Sequence, residues 1–478
     1  MHRRWGPRRR SARLLARADL ISELPDDLLL LVLTRLHCAA TAARTGILSR
    51  RWRSLWPRLR RIVFHDVPFR SLEAVLGCFP LPPPAVSLIV IRLPKQDNRV
   101  PKEQRADDEA RVNSLLRAAA RLEPEMFIFE LPSELIEGSF VVDLPCFHRA
   151  TTIMLLLSSV VCSLPAGVEF PALETLSLWY CTANIDRLLS CCPRLRTLYL
   201  TLVSFDKDGL TVNSASLQEI AVVACRVSNI NIVAPVLKQL SMTIHTSEEV
   251  SVSALAPMVE KVSWHCSWSW FVAPMFGVWQ LDSLELKTAE RQGQLPSLHI
   301  HASAYTSLFV ILHGGVGTFA QELEKHMIAK FSVLELHLTA NGHVFGALVF
   351  HILGMNLIRC ATQMLSVDLQ TSEENEECTF DCPCEPTGWR SQMISLTALE
   401  EVEINGFGGD DHEIDFLKLI FKGAPMLKKV IVKLSDGASS SSDGCTNIYN
   451  MFKAYSSVEF YVYLSSGSRL GGQNCPSV

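Results

Sequence analysis

The chain has 478 residues, 48% hydrophobic and 20% charged, and a formal net charge of −4. That length holds two or three domains and a large core, and the apolar content excludes a disordered chain. The near-neutral total hides a strong asymmetry: residues 1–61 carry 15 Arg and no Lys against 4 acids, and the remainder carries 30 basic and 45 acidic residues. Fifteen cysteines, an odd number without disulfide-type spacing, point to a reduced nuclear or cytoplasmic location. No apolar segment follows the N-terminal arginines, so no secretory leader is expected. The most membrane-like run, residues 344–358, falls short of the roughly twenty apolar residues a spanning helix requires, and no membrane partner is expected.

Residues 1–19 read as a basic, solvated leader. Seven of the first twenty residues are arginine, including Arg8, Arg9 and Arg10. Nuclear import, nucleic-acid contact and organelle transit are the competing readings. No interleaved aromatic residues or binding fold supports nucleic acid.

Residues 20–61 form the next unit. Pro25 suits a helix start, where its missing N–H costs nothing, and Asp26 and Asp27 complement the positive end of the helix dipole. Leu29, Val32, Leu33 and Leu36 recur at three- and four-residue steps, with Leu28 and Leu31 widening the face. A second helix is expected along Thr45, Leu48, Trp52, Leu55 and Leu59, with Trp56 beside it. Two such apolar helices cannot bury themselves in about forty residues, so they need an outside surface.

The string Leu24-Pro25-Asp26-Asp27, the apolar run behind it and Leu48-Ser49-Arg50-Arg51-Trp52 resemble the F-box, the helical module that docks proteins on the Skp adaptor of cullin–RING ubiquitin ligases. The resemblance implies adaptor contacts at Leu24, Pro25, Leu28, Leu29, Val32, Leu33, Leu36, Leu48, Ser49, Trp52 and Trp56. Residues 37–41 depart from the usual turn of that module.

Residues 62–130 read as a linker with an irregular first repeat, and residues 131–330 as leucine-rich repeats. The pattern Leu-x-x-Leu-x-Leu returns at Leu173/Leu176/Leu178, Leu195/Leu198/Leu200, Leu217/Ile220/Val222, Leu237/Leu240/Met242, Val259/Val262/Trp264 and Leu281/Leu284/Leu286. A relative stands upstream at Ala150/Ile153/Leu155. The steps of 23, 22, 22, 20, 22 and 22 residues match the leucine-rich-repeat period. Cys181 and Cys225 take the Asn/Cys place of the longer repeat pattern. The expected fold is α/β: a small helical module, then a solenoid of parallel strands with helical or irregular connections.

In such a solenoid the residues between the inward leucines point to the opposite, concave face. Three rows follow: Thr175, Thr197, Glu219, Gln239, Lys261 and Ser283; then Ser177, Tyr199, Ala221, Ser241, Ser263 and Glu285; then Trp179, Thr201, Val223, Thr243, His265 and Lys287. Trp179, Tyr199, Glu219, Gln239, Lys261 and His265 are the candidate contacts for a protein target. The rows are polar and mixed in sign, which does not suit nucleic acid. Trp264, Trp268, Trp270, Phe271 and Trp279 form an aromatic cluster, read as layer filling before partner hot spot.

Residues 331–435 change character. Phe331, Leu334 and Leu336 make a strand-like unit, and 344–358 a buried helix or strand pair. An acidic, cysteine-containing loop occupies 371–387. Leu399, Val402 and Ile404 restart the repeat, a helix spans about 413–422, and Leu427, Val430 and Val432 close the region. This strand–loop–helix–strand order resembles the α+β FBD domain found behind leucine-rich repeats in plant F-box proteins. Residues 436–478 form a tail with one short strand at 458–464.

Chemistry was sought in the same region. Cys378, Cys382, Cys384 and His412 lack a usual zinc-ligand spacing, so no metal is expected. Asp410, Asp411, Glu413 and Asp415 suit a helix start better than a cation. Gly406-Phe407-Gly408-Gly409 lacks the Lys-Ser/Thr of a phosphate loop, and no paired Cys-x-x-Cys arrays of a RING are present. With no cofactor and no catalytic set, the chain reads as a non-catalytic substrate receptor. It would hold a protein target and reach a cullin through the Skp-type adaptor; the competing reading is a ligase-independent repeat scaffold.

Overall fold

The computed structural model describes residues 21, 23–80, 85–94, 105–132, 140–205, 209–225, 227–246, 250–269, 275–276, 279–289, 296–305, 331–370, 388–391, 393–435, 448, 450–453, 455, 457–467 and 469–471. The basic leader, Trp270, Phe271, the loop with Cys378, Cys382 and Cys384, and residues 436–447 lie outside them.

The N-terminal unit holds three helices where the sequence pattern suggested two. Helix α1 spans Asp26–Thr34 behind an extended Pro25. His37 then takes a left-handed conformation, and α2 spans Ala39–Arg44 and runs on into a 3-10 turn, Thr45–Ile47. Ser49 breaks the expected single second helix. Its backbone is extended and its side chain accepts the Trp52 N–H, so a separate helix α3 starts at Arg50–Leu55. Pro57 then sits in a second 3-10 turn, Trp56–Arg58.

Behind these helices runs one sheet of 19 strands among the described residues. Its first strands lie in the stretch read as a linker with an irregular first repeat: Arg61–His65, Leu88–Arg92 and Met126–Glu130 pair in parallel with each other and then with Thr152–Ser163. The parallel order continues through Thr175–Ala183, Thr197–Thr201, Glu219–Cys225, Gln239–Thr246 and Lys261–Trp268. The register aligns Ile62, Ile89, Phe127, Ile153, Leu176, Leu198, Ile220 and Leu240 in one buried row. A second buried row joins Phe64, Ile91, Phe129, Leu155, Leu178, Leu200, Val222, Met242 and Trp264. Period-2 alternation sends the residues between them to the other face.

Connections between these strands follow their own local patterns. In Ile185–Ser190, Ile185, Leu188 and Leu189 are buried at helical spacing, and Asn184 accepts the Arg187 N–H as cap. Further on the connections alternate with period 2 and become strands instead. Leu210–Asn213, Asn229–Val233 and Ser251–Leu255 form a second, three-stranded parallel sheet, burying Leu210, Val212, Ile230, Ile232, Val252 and Ala254. Cys181 is buried, but Cys225 is exposed and takes no part in the core.

The parallel order breaks at the expected sixth repeat. Trp279–Ala289 runs antiparallel to Lys261–Trp268, and Ser297–Ala304 runs antiparallel to Trp279–Ala289. Two reversals restore the direction, and Val333–Thr339, Met364–Gln370, Glu401–Phe407, Lys429–Leu434 and Glu459–Tyr463 continue in parallel. Trp264, Trp268 and Trp279 are all buried, and the Trp279 indole donates to the Val344 carbonyl at 3.2 Å. The described members of the aromatic cluster therefore fill the interior.

Residues 344–358 form helix Phe345–Gly354 and the start of Asn356–Ala361. Helix Asp411–Gly423 packs beside the first of these, with Phe416 edge-on to Phe345 and Phe350 at 5.0 and 5.6 Å between ring centres. Glu413 is a capping residue, its carboxylate accepting the Gly409 and Asp410 N–H groups. No helix among the described residues is long and apolar enough to cross a membrane.

Candidate functional site

The N-terminal unit divides its apolar residues into two sets. On α1, Leu29 and Leu33 are 0% and 2% exposed and face the chain's own core, joined by Trp52, Leu55, Trp56 and Leu59. One helical step round, Leu28, Leu31 and Val32 are 46%, 54% and 45% exposed. Ile47 and Leu48, between α2 and α3, are 86% and 70% exposed.

This partition divides the expected contacts. Leu29, Leu33, Trp52 and Trp56 are internal packing, the last with its ring edge-on to Phe79 at 5.3 Å. Ser49 is the cap of α3. Leu24 and Leu36 are half-buried against the core, and Pro25 is the exposed residue at the helix start. The residues available to another surface are Leu28, Val32 and Leu48, together with Leu31 and Ile47. Ile47 carried no periodic signal because it sits in a 3-10 turn rather than on the expected second helix.

The two helices are held in place by a charged clamp. Arg51 binds the Asp26 carboxylate at 2.6 and 2.8 Å and also donates to the Leu24 carbonyl at 2.6 Å. Arg58 reaches the other carboxylate oxygen at 3.1 Å. Hydrogen bonding from Arg51 holds the Asp26 carboxyl below its ordinary range. Asp26 therefore joins the start of α1 to α3 as well as complementing the helix dipole.

The second candidate surface is the outer face of the sheet. The parallel register sets Thr175, Thr197, Glu219, Gln239 and Lys261 side by side. It does the same for Ser177, Tyr199, Ala221, Ser241 and Ser263, and for Trp179, Thr201, Val223, Thr243 and His265. The sixth member of each row is displaced by the strand reversal: Lys287 lies beside Ser263, Glu285 beside His265 and Ser283 beside Ser267. Tyr199 donates to Glu219 at 2.9 Å; burial first, then this carboxylate, raises the phenol's pKa. Trp179 and His265 are half-buried, while Gln239 and Lys261 are exposed. Further along, Lys429 pairs with Glu401 and Lys433 with Glu403, so this end of the face neutralises its own charge.

An N-terminal helical unit with an exposed apolar face is thus joined to a long, mostly parallel sheet. Three family models match, in chain order. They are the F-box domain at residues 21–64, the LRR repeats of the FBD-associated F-box protein At5g56370 at 125–260, and FBD at 396–432. Each stretch is similar to its module, and their order is that of F-box proteins with leucine-rich repeats and a C-terminal FBD region. It is similar to the F-box/LRR-repeat protein At1g55660 of Arabidopsis thaliana, 28% identical over 242 residues, which is 47% of this chain and 64% of that one. The F-box protein At1g80960 of the same plant is 46% identical over 46 residues, 10% of this chain and 9% of its own length. The chain spans about half the length of the first curated relatives it matches, 47%, 47% and 45% of each.

Proposed function

We propose that this chain is the substrate-recognition subunit of a Skp–cullin–F-box ubiquitin ligase. Its F-box docks on a Skp-type adaptor, its repeats hold a protein target on the solvent-facing side of their sheet, expected to be the concave face of a solenoid, and the catalytic centre belongs to other subunits. The observation that carries the reading is the uncovered set Leu28, Leu31, Val32, Ile47 and Leu48, projecting from a unit whose own core is already complete. Leucines left this exposed on a clamped scaffold fit a preformed docking surface. The three matched family models support the same role.

Such a receptor works by proximity. Tethering a target to the adaptor raises the effective concentration of its lysines at the ubiquitin-charged enzyme, and this chain contributes no bond-making group. On the target side, Trp179, Tyr199, Glu219, Gln239, Lys261 and His265 offer mixed polar and aromatic contacts, which suit a protein surface.

Co-purification with a Skp-type adaptor tests the docking half. The wild-type chain retains the adaptor, and Leu31→Ala with Leu48→Ala loses it while the repeats stay folded. Adaptor recovery undiminished by that pair of changes would remove the docking assignment. Proximity labelling with an F-box-deleted chain tests the other half, because targets then accumulate instead of being degraded.

A further inference from the structure

Histidines and carboxylates collect on the outer face of the sheet where the strand reversal restores the parallel direction. Ser297–Ala304 carries His299 and His301, Val333–Thr339 carries Glu335 and His337, and Met364–Gln370 carries Asp368. Their neighbours Leu298, Ile300, Leu334, Leu336 and Leu338 are buried, so alternation alone turns the polar set outward. Register then sets His299 beside Glu335, His301 beside His337, and His337 beside Asp368.

The side chains converge. His299, Glu335 and His337 each bring one ligating atom within 4.8 Å of the other two. Ligands about 2.0–2.2 Å from a tetrahedral zinc stand roughly 3.3 Å apart, a distance that small side-chain rotations close. All three are half-buried, at 16%, 18% and 28% side-chain exposure.

Their outer partners suit metal binding as well. His299 Nδ1 lies 3.0 Å from Glu335 Oε2, and its Nε2 lies 2.8 Å from Ser297 Oγ. A cation taking the place of the Nδ1 proton leaves Nε2–H to donate to the serine. His337 Nδ1 lies 3.2 Å from Asp368 Oδ2, which fixes that proton and leaves Nε2 for the ion. His301 stacks on His337 at 4.2 Å between ring centres and limits its rotation. Lys287, beside His299 in the register, is the nearby cation; it is exposed on a long flexible arm that reaches solvent.

We propose that His299, Glu335 and His337 form a binding site for a divalent transition-metal ion, with Asp368 and Ser297 orienting the two imidazoles. Two imidazoles and one carboxylate are a borderline donor set that suits Zn2+, and three protein ligands leave a position open for water or a partner's side chain.

The experiment uses the full chain, stripped with chelator and dialysed against Zn2+ or Co2+. The expected result is one retained equivalent of metal and a Co2+ spectrum without thiolate charge-transfer bands. His299→Ala, His337→Ala and the isosteric Glu335→Gln each weaken binding at least tenfold, and Asp368→Asn weakens it about 10–100-fold. His245→Ala, on the same face at strand Gln239–Thr246, leaves affinity unchanged. Equal metal content in the ligand variants, thiolate bands from the exposed cysteines, or failure of the wild-type chain to retain either metal would overturn the assignment.

Discussion

Replacing Leu28, Leu31 and Val32 together by alanine separates docking from folding in the F-box. These side chains are 46%, 54% and 45% exposed, so the folded chain has already buried about half of each. Full burial of such a side chain is worth about 1.5–3 kcal/mol, and covering the remaining half on docking contributes about 1 kcal/mol each. The three together come to about 3 kcal/mol, which is about 100-fold in Kd at 1.4 kcal/mol per tenfold. Leu29, at 0% exposure, is the internal comparison: Leu29→Ala removes a core side chain and costs about 2–5 kcal/mol of stability. Calorimetric titration with a Skp-type adaptor and thermal melting are run on both variants. The buried halves cost the triple variant about 1 kcal/mol of stability each, so it melts lower, yet it is folded at the assay temperature and loses the adaptor; Leu29→Ala lowers the melting temperature and, where folded, keeps the adaptor. The reasoning fails if the triple variant is unfolded at the assay temperature, or if it stays folded and binds undiminished.

Three further outcomes follow from the packed regions. Burial pushes the Glu413 carboxyl up to about 7 from an ordinary 4.5, so the native state holds a proton that the unfolded state has lost between those values. Stability therefore falls as pH rises through that window, by about 3 kcal/mol at 1.36 kcal/mol per unit, and Glu413→Gln flattens the slope in denaturant melts across it. Gly346 lies in helix Phe345–Gly354, where a Cβ would stand 2.9 Å from the buried Trp389 ring. Gly346→Ala, worth about 1 kcal/mol of gain in an open helix, lowers the melting temperature here because overpacking costs about 1–3 kcal/mol; a rise would show that Trp389 has room. Trp279→Phe removes the indole donor from the Val344 carbonyl, which keeps its intrahelical bond as the helix N-cap, and costs about 0.5–1.5 kcal/mol in chemical denaturation, with adaptor affinity unchanged.

The sequence was most legible where one physical rule acts alone. Alternating apolar residues at 22-residue steps specified the strands from Thr175–Ala183 to Lys261–Trp268 and their neighbours across each row. The first three strands escaped because their inward residues are Ile and Phe, and steps of 27, 38 and 26 residues separate Ile62, Ile89, Phe127 and Ile153. Helix Arg105–Ala120 accounts for the longest of these. The reversal at Trp279–Ala289 was hidden because inward alternation reads the same in both strand directions. In the F-box, composition identified an apolar module but not which leucines face outward, since a cap at Ser49 reset the helical phase. The histidine cluster left no linear signal. His299 and His337 are brought together by strand pairing between segments far apart in the sequence, and only the register reveals it.

The unbroken pairing from Arg61–His65 to Glu459–Tyr463 makes the sheet a ruler. Each strand adds about 4.8 Å along the hydrogen-bonding direction, with no linker among the paired strands to absorb an error. Inserting or deleting one whole repeat would thus shift everything beyond it by one fixed increment relative to the N-terminal helices, and the spacing between the two ends is counted in strands.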